Sequence, residues 1–121
     1  MLLAVLFGGI VGWQREHIGK AAGMRTYALV SLGSAMFTIM SLFGFPGDTS
    51  RVAAQILTGV GFIGAGTIIH KRTSIDGLTT AAGLWSVSAI GMAVGLGWYI
   101  PAAVGTVLMF LIFITPSNKW G

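Results

Sequence analysis

The stretch that decides the fold is residues 78–98, LTTAAGLWSVSAIGMAVGLGW, which runs for 21 residues without a charged side chain. About 20 consecutive apolar residues are needed for an α-helix to cross the roughly 30 Å hydrocarbon core of a bilayer. Three further apolar runs, residues 26–45, 52–69 and 101–115, reach or approach this length. The sequence therefore predicts a transmembrane helix in each run.

A fifth apolar run covers residues 1–13, but 13 residues of helix would reach only about 20 Å. Either the native chain starts upstream, or this helix enters the membrane partway. Arg15 and Glu16 follow it in place of a cleavage pattern, so we interpret it as a mature helix and not as a signal peptide. The predicted fold class is all-α: a polytopic transmembrane bundle of about five helices, the first of them short, in a single domain of residues 1–121.

Composition agrees with a membrane protein. Hydrophobic residues make up 55% of the 121 residues and charged residues 8%, against roughly 25% in an ordinary soluble domain. The net charge of +4 lies in short gaps between apolar runs and not on a polar face, so nucleic-acid binding is not expected. With no cysteine there is no disulfide, thiolate metal site or Cys nucleophile. No enzymatic activity, catalytic residue or cofactor is predicted, and the bilayer is the first expected partner.

The basic residues predict the orientation of the chain. If the spans alternate, six of the seven Lys/Arg fall on one side of the membrane and Arg51 falls alone on the other. The positive-inside rule places the larger group in the cytoplasm, with the N-terminus outside and the C-terminus inside. We expect a multi-pass protein of the bacterial inner membrane. The six residues are Arg15, Lys20, Arg25, Lys71, Arg72 and Lys119.

Nineteen glycines predict close helix packing. Small residues recur four apart at Ala4, Gly8 and Gly12, and again at Gly91 and Gly95. Such a stripe forms a smooth face on which another helix backbone packs closely, either within the chain or in a homodimer, and a homodimer is expected. Trp85, in the middle of its run, is expected to pack against a neighbouring helix.

The third run contains four glycines in eight residues: Gly59, Gly61, Gly64 and Gly66. Each weakens a helix by roughly 1 kcal/mol relative to Ala. The segment is either a tight packing surface or a broken helix that exposes carbonyl groups to an ion or substrate. It also matches G-x-G-x-x-G, but that motif binds dinucleotides only between a strand and a helix, so nucleotide binding is not predicted.

Polar groups within or beside the apolar runs are candidates for a functional site. The side-chain amide of Gln55 needs hydrogen-bond partners, which either a neighbouring helix or a polar pathway would supply. Thr58 lies three residues further along the chain. Isolated Ser and Thr hydroxyls usually bond to a carbonyl of their own helix. The full candidate set is Arg25, Thr26, Gln55, Thr58, Asp76, Thr79 and Thr80.

Charged residues beside the spans form a predicted cytoplasmic cluster of Arg15, Glu16, Lys71 and Arg72. A magnesium site would need carboxylate ligands, and the chain has three carboxylates, of which Asp48 is predicted on the outer side. No metal site is predicted.

Four segments carry a resemblance to a known family. They are residues 8–16 (GGIVGWQRE), 22–30 (AGMRTYALV), 53–66 (AAQILTGVGFIGAG) and 77–82 (GLTTAA). In this order and spacing, over nearly the whole chain, they resemble the membrane domain of the MgtC/SapB family. The family's first block usually reads G-L-x-R-E or G-L-E-R-E, whereas Trp13 and Gln14 precede Arg15 here. Many members carry a further cytoplasmic domain after the last helix, and because this sequence stops at Gly121, that domain is expected to be absent.

The resemblance implies membrane residence and a link to survival under low magnesium or inside host cells, that is, to magnesium homeostasis and virulence. Members are often labelled magnesium transporters, although some look like regulators that bind other membrane proteins, including the F-type ATP synthase. Two hypotheses follow. The chain is a small regulator that binds other membrane proteins, or it is a small-ion transporter built around Gly59–Gly66, Gln55, Thr58 and the Thr79–Thr80 helix start.

Overall fold

The computed structural model describes residues 1–20, 22–44, 47, 49–70 and 75–115. Two two-residue strands, β1 and β2, pair antiparallel between the third and fourth helices, with Ile69 opposite Asp76. The predicted all-α bundle of about five helices is confirmed, whereas the short strand pair was not predicted. The elements are α1 Leu2–His17, α2 Met24–Gly44, α3 Thr49–Ala65, β1 Ile69–His70, β2 Ile75–Asp76, α4 Leu78–Gly95 and α5 Tyr99–Phe113.

Two turns with left-handed glycines connect the helices around α4. At its C-terminal end, the Trp98 amide donates to the Ala93 carbonyl at 2.8 Å and the Gly97 amide to Val94 at 3.0 Å, with φ +82° at Gly97. This is a Schellman ending, which favours glycine because a left-handed residue follows the helix. At the other end, Gly77 has φ +84° and lies against the Thr67 carbonyl, so a side chain there would clash.

Helix α2 is held between α1 and α4 by two glycine stripes. A Cβ at Gly8 or at Gly12 would lie 2.6 Å from backbone atoms of Tyr27 and Met24 respectively. On the α4 side, Gly91 packs on the Ser31 carbonyl and a Cβ at Gly95 would lie 2.8 Å from the Ala35 carbonyl. Both stripes are thus used within the chain. The homodimer that they also suggested stays a prediction.

Helix α3 lies at the edge of the bundle, against α2 and α4. Its buried residues Ile56, Val60 and Gly64 follow one another at four-residue spacing, so a single stripe of the helix faces inward. Gly64 packs on α4, where its Cβ position is 3.5 Å from Ala81. Most of the remaining α3 surface is exposed.

The exterior of the bundle is apolar. Leu29 is 66% exposed, Phe43 83% and Ile100 79%. Among the described residues, α2 and α4 are long and apolar enough to cross a membrane, and α5 is apolar but has 15 residues. The expectation for Trp85 was wrong: it is 56% exposed, because it shares with Ala82 and Ala89 the face of α4 that no helix covers.

Candidate functional site

A buried arginine lies where four helices meet. Arg15, in the last turn of α1, is 2% exposed. Its Nη2 atom donates a hydrogen bond of 2.9 Å to the hydroxyl oxygen of Thr80, in the first turn of α4. Thr80 is itself fully buried, so this bond between α1 and α4 is shielded from solvent.

Helices α2 and α5 complete the arrangement. The hydroxyl of Tyr27, in the first turn of α2, donates to the Thr80 carbonyl at 3.4 Å. The ring of Phe113, the last residue of α5, lies 4.3 Å from the Arg15 guanidinium carbon and packs edge-on against Tyr27. The guanidinium therefore has both a hydrogen-bond acceptor and an aromatic face, which attracts cations.

Gln14 closes the site at the end of α5. Its Nε2 atom donates to the Phe113 carbonyl at 3.2 Å, one of the last carbonyls of that helix, which have no partner within the helix. Gly83, one turn after Thr80, leaves the space that Tyr27 and Phe113 occupy, since a Cβ there would overlap both side chains. We refer to Gln14, Arg15, Tyr27, Thr80 and Phe113 as the Arg15 cluster.

Within the described residues, the Arg15 cluster has no compensating negative charge. Arg15 Nε and Gln14 Oε1 are buried there without a hydrogen-bond partner among the described atoms. Among the side chains that the structure describes, no carboxylate pairs with Arg15, and Glu16, the next residue, is exposed and lies over Gly23. Burying a charge is costly, so the contacts that hold the Arg15 guanidinium inside this apolar bundle are expected to matter for its stability.

The predicted polar residues of α3 lie elsewhere. Gln55 is exposed and, with Arg51, lines a groove of about 580 Å³ between residues 29–37 of α2 and 51–63 of α3, which we call the α2–α3 groove. Thr58 is exposed and donates to its own helix, at the Ala54 carbonyl. Gly64 packs level with Ala81, the residue after Thr80. Gln55 lies nine residues before Gly64 on α3, which corresponds to about 13 Å of helix. Gln55 and Thr80 therefore do not form one site.

The other candidates are distributed around the same end of the bundle as Arg15. Arg25 is exposed and Thr26 is half-buried in the first turn of α2, and Thr79 is half-buried beside Thr80. The side chain of Asp76, and both Lys71 and Arg72, lie outside the described residues. The structure thus brings Arg15 and Thr80 together, and leaves Glu16 and Arg25 at the surface.

The Gly-rich segment forms a continuous helix as far as Ala65. Gly59 and Gly61 have no atom within 4 Å of a Cβ position, Gly64 contacts Ala81, and Gly66 lies in the turn beyond the helix. The backbone of this span is therefore not broken before Ala65. Of the four glycines, Gly64 is the one that packs against another helix.

Sequence reasoning missed Gln14, Tyr27 and Phe113, and it placed Arg15 in a surface cluster. A signal for Arg15 was present. It lies seven residues after Gly8 and eleven after Ala4, so it continues the buried stripe of α1 at helical spacing. Among the described residues, no group of three or more His, Cys, Asp or Glu side chains is placed to hold a metal ion.

Taken together, five close-packed helices with an apolar exterior, two of them of membrane-spanning length, define a helical bundle of the kind that resides in membranes. The sequence matches the profile of the MgtC family over residues 1–118, and the chain belongs to that family.

Named relatives support this assignment. The chain is 45% identical to the "putative magnesium transporter YhiD" of Escherichia coli, over 93% of this chain and 56% of the relative. It is 40% identical to "protein MgtC" of Salmonella typhimurium, over 90% of this chain and 47% of the relative. The chain thus spans about half the length of the curated relatives it matches. No solved structure matches it.

Proposed function

We propose that the chain is a multi-pass protein of the bacterial inner membrane that acts in adaptation to low magnesium by binding and modulating other membrane proteins. The name of the Escherichia coli relative, a putative magnesium transporter, links the family to magnesium. The choice of a regulator over a transporter rests on the interior of the bundle.

The observation that carries the proposal is that no carboxylate is buried among the residues that the structure describes. Magnesium is bound by oxygen atoms, usually including one or two carboxylates, and gives up its water reluctantly. Among the described residues, the one buried charge is the cation Arg15. A guanidinium in a low-dielectric interior repels a divalent cation strongly.

Three of the buried hydroxyl groups are occupied by carbonyl groups of their own helices. Thr38 donates to the Ser34 carbonyl at 2.7 Å, Ser88 to Trp85 at 2.6 Å and Thr106 to Ala102 at 2.8 Å. Hydroxyls held in this way contribute to packing and do not line a passage. Together with the glycine contacts on both sides of α2, they support a bundle whose interior is packed and not hollow.

The structure also supports the proposed orientation. The end of α1, the start of α2, the start of α4 and the end of α5 meet at the Arg15 cluster, with Arg25 nearby on α2. Because Gly64 packs on Ala81, α3 ends on this side and begins, with Arg51, at the opposite end. We assign the Arg15 end to the cytoplasm on the positive-inside rule.

The regulatory function is tested by co-reconstituting the purified chain with purified F-type ATP synthase in liposomes. ATP-driven proton pumping, followed with a pH-sensitive dye, should fall as the ratio of chain to synthase rises. Liposomes with an unrelated small helical membrane protein control for crowding. Pumping that stays constant at every ratio would remove the synthase from the proposal and require a different membrane partner.

A second candidate function is transport of a small ion along the α2–α3 groove. It is favoured by the position of Gln55, whose amide lines the groove, and by the name of the Escherichia coli relative. Arg51 in the same groove opposes it for a cation. Magnesium flux in liposomes, with a Gln55→Leu variant beside the native chain, separates the two functions.

A further inference from the structure

The α2–α3 groove is lined by a glycine from each of its two helices. Gly33 of α2 and Gly59 of α3 both line the groove, and a Cβ built at either position meets no atom within 4 Å. The buried side chains of Ser34, Ile56 and Val60 form its floor. Because glycine has no side chain, the groove is an open, mainly apolar channel along the flank of the bundle.

The groove has the length of one leaflet of a bilayer. From Arg51 to Ile63 it follows twelve residues of α3, or about 18 Å. Half of a bilayer core is roughly 15 Å. The polar groups Arg51 and Gln55 lie one turn apart at the start of α3, whereas the far end, near Leu29 and Ile63, is apolar.

The volume of the groove distinguishes between occupants. At about 580 Å³ it falls within the range of small-ligand pockets, roughly 300–1,000 Å³. A helix about 10 Å across and about 18 Å long would require on the order of 1,400 Å³. A single acyl chain therefore fits within the groove, whereas most of a transmembrane helix would project out of it.

We propose that the α2–α3 groove binds an anionic phospholipid. One acyl chain lies between Gly33 and Gly59, and the headgroup phosphate lies against the Arg51 guanidinium and the Gln55 amide, at the end of the groove that meets the membrane surface. Arginine suits this role because its planar fork of N–H groups matches phosphate oxygens. The inference does not depend on the proposed regulatory function, and a lipid that fills the groove would exclude ion transport along it.

The experiment is native mass spectrometry of the purified chain in detergent, with equal amounts of phosphatidylglycerol and phosphatidylethanolamine of the same acyl composition. The most tightly held lipid should be phosphatidylglycerol. Arg51→Gln should reduce this preference about fivefold, because one basic residue near a membrane surface contributes that order of discrimination. Gly59→Leu should remove most of the bound lipid of both kinds, since its side chain fills the groove.

Gly61→Leu is the matched control. Gly61 lies on the same helix, is exposed and also has no atom near its Cβ position, but it does not line the groove. Lipid binding by this variant should equal that of the native chain, and thermal unfolding checks that each variant is folded. Gly33→Leu fills the groove from α2 and replaces Gly59→Leu if that variant unfolds. Equal retention of the two lipids by the native chain, or unchanged binding in a folded groove-filling variant, would overturn the proposal.

Discussion

At the scale of single residues, Arg15 is the group whose surroundings are most specific. A guanidinium that is 2% exposed needs hydrogen-bond acceptors and a compensating charge, and the described residues supply one hydroxyl acceptor and one aromatic ring. The hydroxyl comes from Thr80, whose carbonyl also accepts from Tyr27. Thr80 thus connects three helices through two of its oxygen atoms.

Thr80→Val should destabilise the chain by about 1.5–3 kcal/mol, the usual contribution of a hydrogen bond to a charged group. The substitution keeps the shape of the side chain and removes the acceptor of the Arg15 bond. The free energy of unfolding in detergent, measured by denaturant titration with tryptophan fluorescence, gives the value.

Thr106→Val provides the matched control, because Thr106 is 5% exposed and its hydroxyl donates only to the Ala102 carbonyl of its own helix. Loss of this hydroxyl should lower the free energy of unfolding by about 1 kcal/mol or less. If the two variants were equally stable, the Arg15–Thr80 bond would not contribute as described.

The Arg15 cluster shows how far single residues were predictable. Thr80 and Arg15 were both selected as candidates, because polar groups beside apolar runs are unusual. Their contact was not predicted, since it joins residues 65 positions apart and depends on how α1 packs against α4. Phe113 gave no signal at all, because one aromatic residue in an apolar run resembles any other lipid-facing or core side chain.

At the scale of helices, the architecture depends on α2 packing closely against a helix on each of two sides. Glycines of α1 pack against one side of α2, and glycines of α4 pack against its other side. Close backbone approach of this kind replaces the hydrophobic effect, which does not drive association between helices in lipid.

Gly91→Ala should therefore lower stability by about 1–3 kcal/mol through overpacking against the Ser31 carbonyl. Gly33→Ala, in α2, should leave stability unchanged or raise it by up to about 1 kcal/mol, because its Cβ enters open space and alanine favours the helix. Both are measured by the same unfolding titration in detergent. A Gly91→Ala variant as stable as Gly33→Ala would mean that α2 and α4 are not in close contact.

Helix number and type were predictable because long apolar runs separated by Gly, Pro and charged residues have few other interpretations. Helix ends were less predictable. Helix α1 continues to His17, beyond the predicted residue 13, and α3 ends at Ala65, before the predicted residue 69. Helical geometry extends into polar residues where hydrogen bonds allow it. The strand pair β1–β2 was missed because two residues cannot show an alternating pattern.

At the scale of the whole molecule, four helices form a tightly joined unit around the Arg15 cluster, and α3 packs along its side. The basic end with Arg15 and Arg25 lies opposite the start of α3 with Arg51. This arrangement fixes which loops should share a side of the membrane.

The orientation can be measured directly because the chain has no cysteine. A cysteine introduced at exposed Gly47, in the turn between α2 and α3, should react with a membrane-impermeant maleimide in intact spheroplasts. A cysteine at Lys20, between α1 and α2, should react only after permeabilisation. The reverse pattern would invert the orientation, and labelling of both in intact spheroplasts would exclude an alternating bundle.

The most direct test of the central claim is magnesium uptake into proteoliposomes that contain the purified chain and an entrapped magnesium-sensitive dye, under an inward gradient. Protein-free liposomes and the Gln55→Leu variant are measured beside it. Because the described interior is packed and its buried charge is a cation, we expect uptake no faster than in protein-free liposomes. Saturable uptake by the native chain that Gln55→Leu abolishes would contradict it and establish transport along the α2–α3 groove.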